Sequence, residues 1–272
     1  MTAEENAYRK SVFMMNLAKI NAHNADKTQT YTMGINQFSD LTQDEFVSTY
    51  LGASVNKKFT DGTEGRTLVD SPIVGDVDWT SVGKVTEVKN QGGCGSCWAF
   101  SAVGAIESAY LIQKGATLNL AEQQLVDCSR SYGNNGCGGG WMDSAFAYVR
   151  DHGLVQTSQY AYVARDQTCK IDSGEYRVSG FKDVAGCENL SNALSTGPVS
   201  VAVDATNWSP YRDGIFNNCA TNVNHGVLAV GETGSYWKVK NSWSTSWGEK
   251  GFIRVAKGNT CAICTYPSYP TL

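Results

Sequence analysis

The feature that most constrains this chain is the run from Cys97 to Lys114, "CWAFSAVGAIESAYLIQK". It is apolar nearly all round, so a helix built from it has no face suited to water and must lie inside a core. Ser96 is placed to cap its start and Gly115 its end. A helix that begins at Cys97 holds that sulfur at the positive end of the helix dipole, which favours thiolate over thiol. At 272 residues the chain has room for such a core in one large domain or two small ones.

The residues leading into this helix, "QGGCGSC" at 91–97, set two cysteines three apart. The chain has nine cysteines, an odd number, so at least one thiol cannot pair within it. A redox pair would use Cys94 and Cys97 as its C-x-x-C, but no βαβ pattern surrounds them. A zinc site would join them to Cys261 and Cys264, and nothing else supports one. The odd thiol is then either a leftover buried cysteine or one kept free in order to react. The formal charge of −4, without any run of Lys or Arg, gives no sign of a nucleic-acid or anionic-membrane partner. No apolar run approaches the roughly 18 residues of a membrane span. The cysteines, with Asn189-Leu-Ser and Asn207-Trp-Ser as glycosylation patterns, suggest a secretory chain whose leader has been removed.

Residues 1–70 contain no cysteine. Within them Glu5, Arg9, Phe13, Asn16, Ile20 and Asn24 share one helical stripe, which on spacing alone is a plain amphipathic helix. Residues 52–70 are polar and glycine-bearing, as a linker or extended segment would be. The C-terminal half instead carries short alternating runs, "GPVSVAVDA", "NHGVLAVG", "YWKVKNSW" and "GFIRVAKG". Helix-rich then strand-rich order predicts an α+β protein of two lobes.

A thiol nucleophile needs a base, and the chain has three histidines. His23 lies in the amphipathic stripe region, and His152 in a helix end before glycine. His225 opens a strand that a short loop joins to Tyr236–Asn241. A hairpin symmetric about Thr233 sets His225 opposite Asn241, where the amide oxygen fixes the ring's tautomer. Trp243 would then cover the pair from water.

"QGGCGSCWAF", "NHGVLAVG" and "NSWSTSWGEKGFIRV" resemble the active-site segments of papain-like cysteine proteases of the cathepsin L type. That family's signature, C-G-[SA]-C-[WY], has its His and Asn about 130–150 residues downstream; here the gaps are 128 and 144. The stripe at 5, 9, 13, 16, 20 and 24 resembles the family's ERFNIN prosegment helix, and Gly34, Asn36, Phe38 and Asp40 resemble its second prosegment motif. Ser244 departs from the family, which usually has glycine there. The aromatic-richer segment that precedes this helix in the family is expected to be missing.

The resemblance implies a papain-like fold with a helical left lobe, an antiparallel β-barrel-like right lobe and a helical prosegment. It implies an inhibitory prosegment over 1–72 and a peptidase domain over 73–272, with mature protein starting near 68–77. It makes Cys97 the nucleophile, His225 its base and then acid, Asn241 the orienting amide and Gln91 the oxyanion-hole side chain. The resting pair would be thiolate and imidazolium. Gly139 and Gly140 would let substrate backbone approach. Trp141, Met142, Ala202, Val223, Gly226 and Tyr266 would line the pocket for the residue two before the scissile bond, with Tyr266 at its floor. The disulfides carried over are Cys94–Cys137, Cys128–Cys169 and Cys219–Cys261. Cys187 and Cys264 are left either to form a fourth bridge or to stay as two buried thiols. "CGGGWMDSAF" lacks the strand and Lys-Ser/Thr ending of a phosphate loop. Protein and peptide substrates, no cofactor, no metal and a monomer are expected, in a lysosome, vacuole or extracellular space. Residues 1–40 would fold on the C-terminal lobe and 41–70 run through the cleft, against the direction of substrate. Acid would free them as carboxylates such as Asp40 lose their charge.

Overall fold

The computed structural model describes residues 2–54 and 75–272. The expected start of the mature chain falls largely outside these residues. Helix α1 (Ala3–Ala25) opens on a capping box in which Thr2 and Glu5 satisfy each other's backbone N–H groups. Strand β1 (Tyr31–Met33) follows, then α2 (Gln43–Tyr50) with a second capping box, Thr42 and Glu45. After β2 (Val77–Asp78) come three helices, α3 (Cys97–Gln113), α4 (Glu122–Cys128) and α5 (Met142–His152). The rest is mostly strand: β3 (Gly180–Asp183), α6 (Cys187–Leu194), β4 (Val199–Val203), β5 (Tyr211–Phe216), β6 (His225–Glu232), β7 (Tyr236–Lys240), β8 (Phe252–Ala256) and β9 (Ser268–Thr271).

The strands are ordered β1-β5-β8-β7-β6-β4-β9-β3, with β2 added to β6. The sheet is open rather than closed into a barrel, which corrects the barrel-like expectation, and its pairs are antiparallel except for β5 with β8. One edge, β1, comes from the N-terminal segment and lies antiparallel to β5.

A central sheet separates two cores. Strand alternation sends Val199, Val201, Val203, Val227 and Ala229 to one side, with Trp208, Trp237 and Trp247. It sends Ala202, Leu228 and Val230 to the other, against α3, α4 and α5. This is why β4 and β6 are buried along their whole length. Helix α3 is buried from Cys97 to Ser108, as its all-round apolar pattern requires. Ser96 does not cap it; the Ser96 hydroxyl pairs instead with Tyr162 Oη at 2.6 Å. Gly115 does end it, in the left-handed conformation with φ 67°.

Four disulfides join Cys94–Cys137, Cys128–Cys169, Cys219–Cys261 and Cys187–Cys264, so the two cysteines left open in sequence form a fourth bridge. They close loops of 41 to 77 residues, each worth about 4 kcal/mol in the chain-entropy account. Cys97 alone is free. Cys94, Cys261 and Cys264 are thus committed elsewhere, which removes both the redox and the zinc arrangement.

Candidate active site

Cys97 stands at the first turn of α3, fully buried between the two cores. Its Sγ accepts the Gly226 N–H at 3.4 Å. Gln91 is fixed beside it. The Gln91 N–H donates to Ser242 O at 2.8 Å, and Ser242 Oγ donates to Gln91 Oε1 at 2.6 Å. Tyr162 Oη donates to Gln91 O at 2.6 Å, a support no sequence signal disclosed. With its oxygen held, the Gln91 amide turns its nitrogen the other way, donating to Cys94 O at 2.9 Å and leaving a second N–H for the cleft.

His225 begins β6 and is fully buried. Its Nε2 lies 2.8 Å from Asn241 Oδ1, and the Ser242 backbone N–H donates to that same oxygen at 2.8 Å. An oxygen that already accepts must accept again, so His225 carries its hydrogen on Nε2 and its lone pair on Nδ1. The expected contact exists, but not by the expected register. Leu228 pairs with Lys240 and Ala229 with Val239, and a bulge follows before Gly231. The symmetric hairpin is therefore displaced by two residues. Asn241 lies just past the end of β7 and reaches diagonally to His225, whose direct partner is Val203 on β4. Trp243 stacks on the imidazole, with ring centroids 4.7 Å apart.

The N-terminal segment fills the cleft. Gly140 N–H donates to Gly52 O at 2.9 Å and Ser54 N–H to Gly140 O at 3.0 Å, while Ala53 N–H donates to Asn224 O at 2.9 Å. The Ala53–Gly140 bridge is parallel. Glycine is required at 52, because a Cβ there would sit 2.1 Å from Gly95 O. Gly139 holds φ 111°, a conformation other residues rarely adopt. Gln91 Nε2 donates to Tyr50 O at 2.9 Å. Ala53 joins the core cluster that contains Trp141, Met142 and Ala202.

Residues 73–271 match the model of the papain family cysteine proteases, and residues 1–46 that of the cathepsin propeptide inhibitor domain. The chain belongs to the papain family of cysteine proteases. It is 48% identical over 271 residues to Cathepsin L 2 of Paramecium tetraurelia, covering 97% of this chain and 86% of that one. It is 41% identical over 294 residues to human Cathepsin L2, covering 99% and 88%. In structure it is similar to digestive procathepsin L 3 of Tenebrio molitor larval midgut, with a TM-score of 0.91 at 39% identity, covering 100% of this chain and 93% of that one. This papain-family chain is therefore a cathepsin L-like cysteine endopeptidase, carrying its propeptide as an intramolecular inhibitor.

In this closed state burial disfavours charge on both members of the papain-family pair. Burial pushes the Cys97 thiol up, and burial pulls the His225 imidazole down to about 4. His225 Nδ1 has no hydrogen-bond partner among the described residues. Burial in the closed state opposes the thiolate–imidazolium pair expected at rest.

The prosegment stripe is used residue by residue. Glu5 caps α1, Ile20 is buried, and Phe13 is half-buried. Asn16 Nδ2 donates to Ser39 O and Leu41 O, and Asn24 closes a pair of bonds with Met33. Arg9 Nη1 donates to Glu45 Oε2 at 2.7 Å and to Asp40 O at 3.1 Å. Asp40 thus serves through its backbone carbonyl, and its carboxylate has no ion pair among the described residues. Glu45 holds the charge instead. The capping-box spacing from Thr42 was the signal that could have found it. In the second motif, a Cβ at Gly34 would meet Arg212 at 2.8 Å, and Asn36 donates to Ser209 O. Phe38 and Phe46 stand edge-on to Trp243 at 5.3 and 5.2 Å.

Of the expected pocket residues, Trp141, Met142, Ala202 and Gly226 are buried together near Cys97, with Val223 packed against them. Tyr266 is 39% exposed and edge-on to Trp141 at 5.6 Å. Ser244 adopts φ 69°, the left-handed conformation in which glycine is at ease.

Proposed function

We propose that Cys97, His225, Asn241 and Gln91 carry peptide-bond cleavage once the prosegment, whose Tyr50–Ser54 main chain occupies the cleft, has left it. His225 Nδ1 takes the Cys97 proton as water returns and the pair charges. The thiolate attacks the carbonyl carbon, and His225 returns the proton to the departing amine. Water, activated by the same imidazole, then releases the acyl group from sulfur. Gln91 Nε2 and the Cys97 backbone N–H receive the oxyanion; loss of one such donor costs about 10²–10³ in rate. The observation that carries this reading is the Tyr50–Ser54 main chain in the cleft. It takes the Gln91 donor with a carbonyl and takes both hydrogen-bonding groups of Gly140.

The buried apolar side chains around Ala53 support a preference for an apolar or aromatic residue two before the scissile bond. Acid releases the prosegment, and below about pH 4 protonation of Glu45 adds to this by costing Arg9 its partner. The enzyme acts as a monomer on proteins and peptides, in a lysosome, vacuole or outside the cell. Four disulfides support an oxidising route, and no helix among the described residues is long and apolar enough to cross a membrane.

The test is a time course of fluorogenic peptide hydrolysis with Phe or Leu at the second position, after a shift from neutral pH to about pH 4–5 with a thiol reductant. A lag followed by rising activity, absent in Cys97→Ala, is expected. Immediate full activity at neutral pH would sink the latent-cleft reading.

A further inference from the structure

Behind Trp141 lie two carboxyl groups that the reaction does not use. Helix α5 packs on β3 through Phe146 and Phe181, whose rings are 6.0 Å apart. Asp143 is one helical turn before Phe146, and Asp183 is two residues after Phe181, so both fall on the facing sides. Ser268, opposite Asp183 across β3 and β9, brings its hydroxyl near Asp143. Asp143 Oδ2 accepts the Trp141 Nε1–H at 2.8 Å. Asp143 Oδ1, Asp183 Oδ1 and Ser268 Oγ are buried and meet no hydrogen-bond geometry among the described residues.

No cation among the described residues answers these carboxyls. Lys182 adjoins Asp183, but strand alternation turns it to the opposite face, with its β9 partner Tyr269. On α5 the charges lie at the far end, where Arg150 pairs with Asp151 and His152 with Asp172. On α3, Glu107 takes Lys89. Tyr266, edge-on to Trp141, is the phenol at this wall. Burial, and for Asp183 next the charge of Asp143, drives both carboxyls well above the usual carboxylate range. Two such groups do not ionise together in a water-poor site.

We propose that Asp143 and Asp183 share one proton, and that this shared proton makes Asp143 the positioning residue for Trp141. The inference rests on Trp141 forming the wall of the pocket for the residue two before the scissile bond. With the proton present, one carboxyl donates to the other and Asp143 Oδ2 stays on the indole. Without it, two like charges face each other, Asp143 is pushed away and Trp141 loses its anchor. Both groups titrate above their unfolded value near 4. Their contribution is therefore complete below about pH 4 and is lost as pH rises toward neutrality. The pocket is firm in acid and slack at neutral pH, independently of Cys97 and His225.

The acid-matured enzyme tests this with two peptides, Phe or Ala at the second position. KM for the Phe peptide should rise about tenfold between pH 5 and 7.5, the size of one lost positioning bond, with kcat within about twofold and the Ala peptide little changed. Asp183→Asn, which gives Asp143 an N–H donor without a titrating proton, should flatten that rise. A variant that keeps the parent's KM profile would overturn the proposal. Trp141→Ala separates the two readings: if it leaves the Phe-to-Ala ratio unchanged, the pocket assignment fails and the positioning role with it. A carboxyl-carbon titration of aspartate-labelled Cys97→Ala proenzyme does not depend on any change at the pair. Both carboxyls ionising below about pH 5 would refute the shared proton.

Discussion

Glu45 in the prosegment and Asp143 behind the cleft are both carboxylates with one close partner, yet their surroundings push them in opposite directions. Glu45 is a third exposed and faces the guanidinium of Arg9. That hydrogen bond, with one from the Thr42 N–H, holds its carboxyl down to about 2. Its clamp is complete above about pH 4.3 and is lost as pH falls toward 2. Asp143 is 4% exposed and faces another carboxylate; its contribution is complete in acid and fades toward neutrality. On the proposed reading, falling pH acts on the two in opposite senses, firming the pocket between neutrality and about pH 4 and loosening the clamp only below that. What decides the sign is the charge of the neighbour and the access of water, not the residue type.

The attachment of the prosegment differs in kind from its acid-sensitive clamp. Phe46 is buried against Trp243 and Phe38, and Phe46→Ala should cost about 3–5 kcal/mol. The expected result is hydrolysis at pH 7 without a lag; a proenzyme that stays latent would show that the strand pairing of β1 is enough. Glu45→Gln keeps the capping box and removes the titration. It should weaken inhibition at pH 7 by roughly twofold to fivefold, the size of an exposed pair, and not at all near pH 2. Parallel activation profiles of parent and variant as pH falls from about 4 toward 2 would move that part of the acid response elsewhere. Ser244→Gly relieves a left-handed residue and should raise stability by about 1 kcal/mol, read by thermal unfolding of the inactive proenzyme. Asp40→Ala should change the activation profile less than Glu45→Gln does, since only the Asp40 carbonyl is bonded. A larger shift would return the acid response to Asp40.

Much of the site was legible because local chemistry announces it. An all-apolar helix beginning at a cysteine must be buried there, and an odd cysteine count leaves a thiol free. The resemblance then named His225, Asn241 and Gln91. The hairpin argument reached the right contact through the wrong register, because the turn centres between Gly234 and Ser235 rather than on Thr233, and a bulge beyond Ala229 shifts the pairing again by one residue. Ser96 looked like a cap and was claimed by Tyr162, a residue 66 positions away.

The sequence by itself determined the helix-then-strand order, the buried α3, the odd thiol and the two capping boxes, since these depend on neighbours within a few residues. Only the tertiary structure decided that Cys187 meets Cys264, that Glu45 rather than Asp40 meets Arg9 through its carboxylate, and that Asp143 faces Asp183. Each of those is a meeting of distant segments. Whether a carboxylate there finds a cation, another carboxylate or water sets its charge, and no local pattern records that choice.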